Sequence, residues 1–272
     1  MDIYGAQMLP PSLSKLYLLR HAQGIHNVEL EEKRETALSP KLFDAELSPK
    51  GLQQVKELRK RIHESGLLDK IELVITSPLQ RTMQTAMGVF GKDSGKHADE
   101  VRRETSTAQH STVIFPPIMA LELCRERMGL YPCDRRKGIG EYMDRFPEID
   151  FSMIENEEDV SWQSEKREDL VEVAARGLQF LKWVLERPEK EIAIVSHGIF
   201  LQQTLHAFRN KHGIPFEDKL LTRFANCELR SIEIDKIRVM EAADSLAITS
   251  CRNFINPSSN SPSPSSIEAF LN

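Results

Sequence analysis

The sequence lacks several features that would have set its class at once. Its four cysteines, Cys124, Cys133, Cys227 and Cys251, are dispersed with no CxxC pair, so neither a zinc ribbon nor a disulfide framework is expected and all four read as reduced thiols. No apolar run approaches the roughly 20 residues that span a bilayer. Met1 to Ser14 has neither the basic start nor the apolar stretch of a secretory signal, which makes a cytoplasmic address the default and a membrane partner unexpected. Excess positive charge is missing too: 36 Lys and Arg against 41 Asp and Glu leave a net charge of -5, which disfavours broad binding to nucleic acid or to an anionic membrane. There is no GxxxxGK loop for a nucleotide triphosphate and no internal repeat. His26, His63, His97, His110, His206 and His212 show no metal-ligand spacing and read as surface or packing residues, so no metal and no cofactor is expected.

What is present is an ordinary globular composition, 40% hydrophobic and 28% charged, which excludes a wholly disordered chain without naming a function. Length admits one sizeable core. Lys15 to Leu19, Ile71 to Thr76 and Glu191 to Val195 are short, mostly apolar runs that each end in polar residues, as buried strands do. Helical periodicity follows over Pro49 to Ser65, with Leu52, Val55, Leu58 and Ile62 on one face, and over Pro78 to Phe90, opened by a proline where a first turn tolerates it. Further helices are expected at Glu165 to Glu186 and Ile199 to Phe208, and an edge pair of strands at Cys227 to Ile234 and Ile237 to Glu241. Strands alternating with helices imply a parallel α/β sheet. Residues 1–14 read as an N-terminal extension and 15–255 as one domain with exposed insertions near 92–112 and 130–160. Residues 256–272 have the Ser/Pro composition of a disordered tail.

In such a sheet, ligands bind at the carboxyl ends of the strands. The first strand delivers Arg20 and His21 there, the third His197 and Gly198, and the helix after the second Arg81. Two histidines and two arginines at converging strand ends make a compact cationic site suited to a dianionic phosphate.

The same residues carry a resemblance. YLLRHAQGIHN (17–27), LSPKG (47–51), SPLQRTMQTA (77–86), LELCRERMG (121–129) and VSHG (195–198) resemble, in order, the motifs of the histidine phosphatase superfamily, or phosphoglycerate mutase-like family, across most of residues 15 to 235. Ala22 replaces the usual glycine after the Arg-His pair, a small substitution that several branches share. The resemblance implies a three-layer α/β/α sandwich with a mostly parallel central sheet. It also implies that His21 is the phosphorylated nucleophile, with Arg20, Arg81 and His197 on the transferring phosphoryl oxygens. Asn27 matches a further phosphate-pocket position, and Gly198, without a side chain, would let backbone approach the ligand. Ser77 is read as an alternative cap for the helix opened by Pro78. An attacking imidazole must be neutral, a state that neighbouring arginines favour, and no metal is required by that arrangement.

The leaving alkoxide needs a proton, for which the resemblance offers Glu126, followed by Arg127 and Gly129, with Glu122 as the rival; burial beside phosphate would raise the donor's pKa. The two could instead share a helical face with Arg125 or Arg127. Arg135 and Arg136 are either partners of a second acidic group on the substrate or a solvated turn. Three functions follow: a phosphomonoesterase acting on a small phosphorylated substrate, a phosphoglycerate mutase using the same phosphohistidine, or a non-catalytic scaffold that retains the fold. The first is preferred because LYPCDRRKGIGEYMDRFPEID, after Gly129, does not resemble the mutase insertion. Oligomeric state is not set by the sequence.

Overall fold

The computed structural model describes residues 13–92 and 115–236. Six strands, β1 (Leu13–Arg20), β2 (Leu73–Thr76), β3 (Ile118–Ala120), β4 (Ile149–Asp150), β5 (Glu191–Ser196) and β6 (Leu229–Asp235), join in the order β4-β3-β2-β5-β1-β6. Neighbours are parallel except β6, which runs antiparallel to β1 at one edge. Alternation along the strands sends Tyr17, Leu19, Val74, Ala193 and Val195 to one face, where they meet α2 (Pro49–Glu64) and α3 (Gln80–Phe90). Leu16, Leu18, Leu73, Ile75, Ile192 and Ile194 face the opposite way, onto α5 (Leu170–Leu185) and α6 (Gly198–His212). The result is three layers, helix on sheet on helix. Three short helices, α1 (Ile25–Glu31), α4 (Ile139–Arg145) and α7 (Asp218–Leu221), lie in the connections.

Strand register places the site. β5 lies between β1 and β2, with Val195 level with both Leu19 and Thr76, and Ser196 level with Arg20. The strand ends are therefore flush, and His21 and His197 both leave the sheet one residue beyond the same line. β3 and β4, which the hydrophobic pattern had not revealed, are only three and two residues long.

Several boundaries differ from expectation, each for a local reason. β1 begins at Leu13 because its first residues pair with the end of β6, Leu13 opposite Asp235, so the sheet takes in two residues of the expected extension. α3 starts at Gln80 rather than Pro78, because Leu79 is extended (φ -109°, ψ 142°). The Gln80 N–H is instead received by Asp44 Oδ1 at 2.9 Å. α5 starts at Leu170, since Arg167 and Glu168 turn away to bind the loop at Met128–Asp134, and Asp169 with Glu172 forms a capping box. α6 runs on to His212 and stops at Gly213, which is left-handed (φ 62°). The 130–160 segment is no exposed excursion: it buries Asp134, Arg136, Tyr142 and Phe151, and Tyr142 donates to Asp44 Oδ2 at 2.6 Å. Residues 93–112, the strand expected at 237–241 and the tail at 256–272 lie outside the described residues, as do 1–12.

The LSPKG segment shows why those residues stand together. Ser48 caps α2 by accepting from Gly51 N at 3.0 Å, Pro49 occupies the first turn, and Ser48 N donates to Gln23 O at 2.8 Å. A Cβ on Gly51 would lie 2.1 Å from Gln23 O, a backbone atom two residues past His21. Gly51→Ala should therefore push the 22–24 loop away and destabilise the fold by roughly 1–3 kcal/mol, read as a lower urea midpoint at unchanged m-value.

Candidate active site

His21 is clamped by its own backbone. Its N–H donates to Ser196 O at 2.9 Å, while its carbonyl accepts from Cys227 N and Asn226 Nδ2, both at 3.2 Å. Ala22 N then donates to Thr85 Oγ1 of α3 at 3.1 Å, so the chain after the nucleophile candidate is tied to the helix that carries Arg81. The His21 ring is buried, with Nδ1 2.7 Å from Ala22 O. A carbonyl only accepts, so this bond assigns the proton to Nδ1 and leaves the Nε2 lone pair available.

The His197 ring stands edge-on to His21, with centroids 5.2 Å apart. Arg81 Nη2 approaches His197 Nδ1 at 3.2 Å, and His197 Nε2 is 2.8 Å from Ser77 Oγ. Arg81 donates as well to Cys133 O at 2.5 Å and to Asp134 Oδ1 at 2.9 Å, and Asp134 Oδ2 accepts from Arg167 at 2.9 Å. Arg20 donates to Phe224 O at 2.8 Å. The Nε groups of Arg20 and Arg81 are buried and have no hydrogen-bond partner among the described residues, an arrangement that is costly unless an anion accepts from them.

Electrostatics follow from this crowding. Burial, then the charges of Arg81 and Arg20, holds the His21 pKa well below the usual imidazole value of 6.5, and burial with Arg81 does the same to His197. Burial followed by Arg223 lowers the pKa of Arg20, while Glu126 acts in the opposite direction. Burial pushes the thiols of Cys133 and Cys227 up to about 12, so both stay protonated.

The structure thus brings Arg20, His21, Arg81, His197 and Gly198 together. Asn27 lies close by, its Oδ1 accepting from Gly24 N at 3.0 Å and Asn226 Nδ2 at 3.3 Å, which braces the loop. Ser77 binds His197 rather than capping α3. The two acid candidates separate. Glu122 gives one oxygen to Arg125 at 3.0 Å and the other to Arg136 at 2.6 Å. Glu126 instead reaches the start of α6, accepting from Phe200 N at 3.0 Å and Ile199 N at 3.4 Å. Its loop is fixed by Ser196 Oγ donating to Cys124 O at 2.7 Å and by Arg176 donating to Glu126 O at 3.1 Å. Arg136 does not face a ligand: its guanidinium is occupied by Glu122 and by the carbonyls of Lys137, Asn156, Glu157 and Glu158. Arg135 stacks over Phe43 and Trp162.

His26, read from the sequence as a surface or packing residue, and Asp134, which the sequence does not single out, belong to this neighbourhood. His26 is buried with its ring 5.7 Å from His21. Its place as the second residue of a helix starting four residues after His21 was the available signal. Asp134 stood in the sequence beside two arginines that drew attention from it.

A profile of the histidine phosphatase superfamily (branch 1) matches residues 16–106 and 137–241. The chain belongs to the histidine phosphatase superfamily. Phosphoglycerate mutase-like protein 1 of Arabidopsis thaliana is 48% identical over 226 residues, 80% of either chain. A second Arabidopsis thaliana relative, phosphoglycerate mutase-like protein, is 46% identical over 242 residues, 86% of this chain and 89% of its own. Among solved structures, the ecdysone phosphate phosphatase from Bombix mori in complex with tungstate shares the fold with a TM-score of 0.51 at 18% identity, covering 80% of this chain and 88% of that one. The superfamily fold is therefore an α/β sandwich here, and phosphoryl transfer is the chemistry its members share. Among the described residues no helix is long and apolar enough to cross a membrane.

The pH consequence has a definite sign. Burial leads the lowering of His21, His26 and His197 alike. The unfolded chain takes up these protons as pH falls through about 6.5 while the folded chain resists, so stability is held above that value and declines below it. A histidine ring NMR titration from about pH 7.5 to about 5.5 should show three rings with no midpoint in that window, together with a urea midpoint that falls as the solution is acidified. Midpoints near 6.5 at these rings would contradict the assignment.

Proposed function

We propose that the protein is a phosphomonoesterase that passes the phosphoryl group of a small phosphorylated substrate through His21. The observation that carries this reading is the neutral His21 ring, its Nδ1 proton held by Ala22 O and its Nε2 free, beside the unpartnered Nε groups of Arg20 and Arg81. Nε2 attacks phosphorus as the P–O ester bond breaks, and Arg20, Arg81 and His197 stabilise the charge spread over the equatorial oxygens. The leaving oxygen takes a proton from Glu126. The same carboxylate then removes a proton from water as that water attacks the phosphohistidine, releasing phosphate and restoring His21. Glu126 is favoured over Glu122 because Glu122 has both oxygens engaged by arginines, whereas Glu126 lies at the His197–Gly198 turn and interacts with Arg20.

The names of the Arabidopsis relatives favour a mutase, in which phosphohistidine returns its group to a second substrate hydroxyl. Such an enzyme must retain a bisphosphorylated intermediate and exclude water. Arg125 and Arg136, which could have gripped it in the segment after β3, are spent on Asp159, Glu122 and backbone carbonyls, and this supports hydrolysis.

Turnover of a phosphomonoester panel, followed for both phosphate and isomer release, tests the reading. His21→Ala should remove phosphate release and the acid-labile phosphoprotein trapped in the wild type. Glu126→Gln should lower kcat roughly 10²–10⁴-fold on alkyl phosphates and much less on 4-nitrophenyl phosphate, whose leaving group needs no proton. Isomer formation with little phosphate release would establish the mutase instead.

A further inference from the structure

His26 takes no part in the mechanism above, yet it is buried beside the residue at its centre. It is the second residue of α1 and only 6% exposed. Its Nδ1 is shut off from solvent and has no hydrogen-bond partner among the described residues. Its ring stands 5.7 Å from the His21 ring and is tilted by 48°, so the two are not stacked. A residue kept for packing alone would be apolar, because a buried polar atom left unpaired loses its water without compensation. Gly24 makes the room. Its backbone is ordinary extended chain (φ -88°, ψ 160°), which any residue adopts, so conformation does not call for glycine there. A Cβ at that position would lie 2.6 Å from both Cε1 and Nδ1 of His26. The missing side chain is thus the space that the imidazole occupies. Ile25 N, donating to Glu46 O at 2.8 Å, and Asn27 N, donating to Gly24 O at 3.0 Å, hold that turn in place.

We propose that His26 is a further phosphoryl-binding residue, donating a ring N–H to an oxygen of the phosphoryl group held against His21. This deepens the phosphatase reading and rests on it. The motif resemblance gives position 26 no role. The charges that reach the ring are those of Arg81 and Arg20, and burial together with them keeps it neutral, with one N–H to give and one lone pair. The distances suit the task. With a hydrogen bond of about 2.9 Å, an oxygen of a phosphoryl group on His21 Nε2 lies about 4 Å from the His21 centroid and has to lie about 4 Å from that of His26. Over a base of 5.7 Å that triangle closes. A neutral donor gives a hydrogen bond that strengthens as charge builds on the equatorial oxygens. It does so without placing a third cation against Arg20 and Arg81, which would repel one another the more.

Two measurements on the full-length protein separate this role from packing, and neither needs turnover. In histidine ring NMR spectra, inorganic phosphate should shift the His26 ring signals, which are identified by their loss in His26→Phe. Calorimetric titration with inorganic phosphate should show affinity lowered roughly tenfold or more in His26→Phe. The urea midpoint of that variant should equal or exceed the wild-type value, since the substitution keeps an aromatic ring and removes an unpaired buried atom. His26→Gln, which restores an N–H donor, should recover part of the affinity. His26 ring signals that phosphate leaves unmoved, an affinity within about twofold of wild type in His26→Phe, or equal losses in the two variants would each overturn the inference, as would a wild type that binds no phosphate. Phosphate binding that depends on His26 in a protein whose His21 is never phosphorylated would keep the donor and remove the phosphatase reading alone.

Discussion

The flush carboxyl ends of β1, β5 and β2 are the constraint on which the rest depends. Parallel strands cannot slip by one residue without turning their apolar faces inside out, so the two hydrophobic layers that fix Leu19, Val195 and Thr76 level with one another also fix where His21 and His197 leave the sheet. The chemistry inherits its geometry from core packing. What the loops add is orientation: Ala22 O sets the His21 tautomer, Thr85 ties the following residue to α3, and Asp44 holds the start of the helix that presents Arg81.

Around those histidines the protein maintains an unusual charge pattern. Three imidazoles are buried and kept neutral beside two arginines with unpartnered Nε groups. Each imidazole avoids adding a further charge to the cluster, and each buried donor without a partner carries a desolvation cost that an accepting anion would offset. The acidic residues nearby are allotted rather than scattered. Asp134 and Asp159 neutralise the buried arginines Arg81, Arg167 and Arg125.

Much of this was legible in the sequence, and the legible part has a common cause. Arg20, His21 and His197 sit at the ends of apolar runs, and Arg81 in the first turn of the helix that follows one, where a one-dimensional pattern says both that a strand has stopped and what comes after it. Their convergence then follows from the parallel α/β arrangement. β3 and β4 escaped because two or three residues carry no period. The helix expected from Glu165 starts only at Leu170 because Arg167 and Glu168, though of fair helical propensity, make tertiary bonds to the Met128–Asp134 loop instead. His26 and Asp134 have contacts set by partners far along the chain, and the different surroundings of Glu122 and Glu126 arise from Arg136 on one side and the start of α6 on the other, which the spacing to Arg127 and Gly129 does not show. Asp159 lies in an acidic stretch with no hydrophobic period, yet it is gripped by Arg125 at 2.6 Å.

The bond between Arg81 and Asp134 spans 53 residues of chain, and the same carboxylate is shared with Arg167. Buried Arg81, beside the two histidines, thus borrows its counter-ion from a segment that supplies neither histidine. A lineage could lengthen or rebuild that segment only while the carboxylate stays with its two arginines; if the carboxylate is lost alone, the buried Arg81 guanidinium is stranded beside the two histidines. Diversification of the wall and preservation of the chemistry are therefore a single inherited unit, joined at one aspartate.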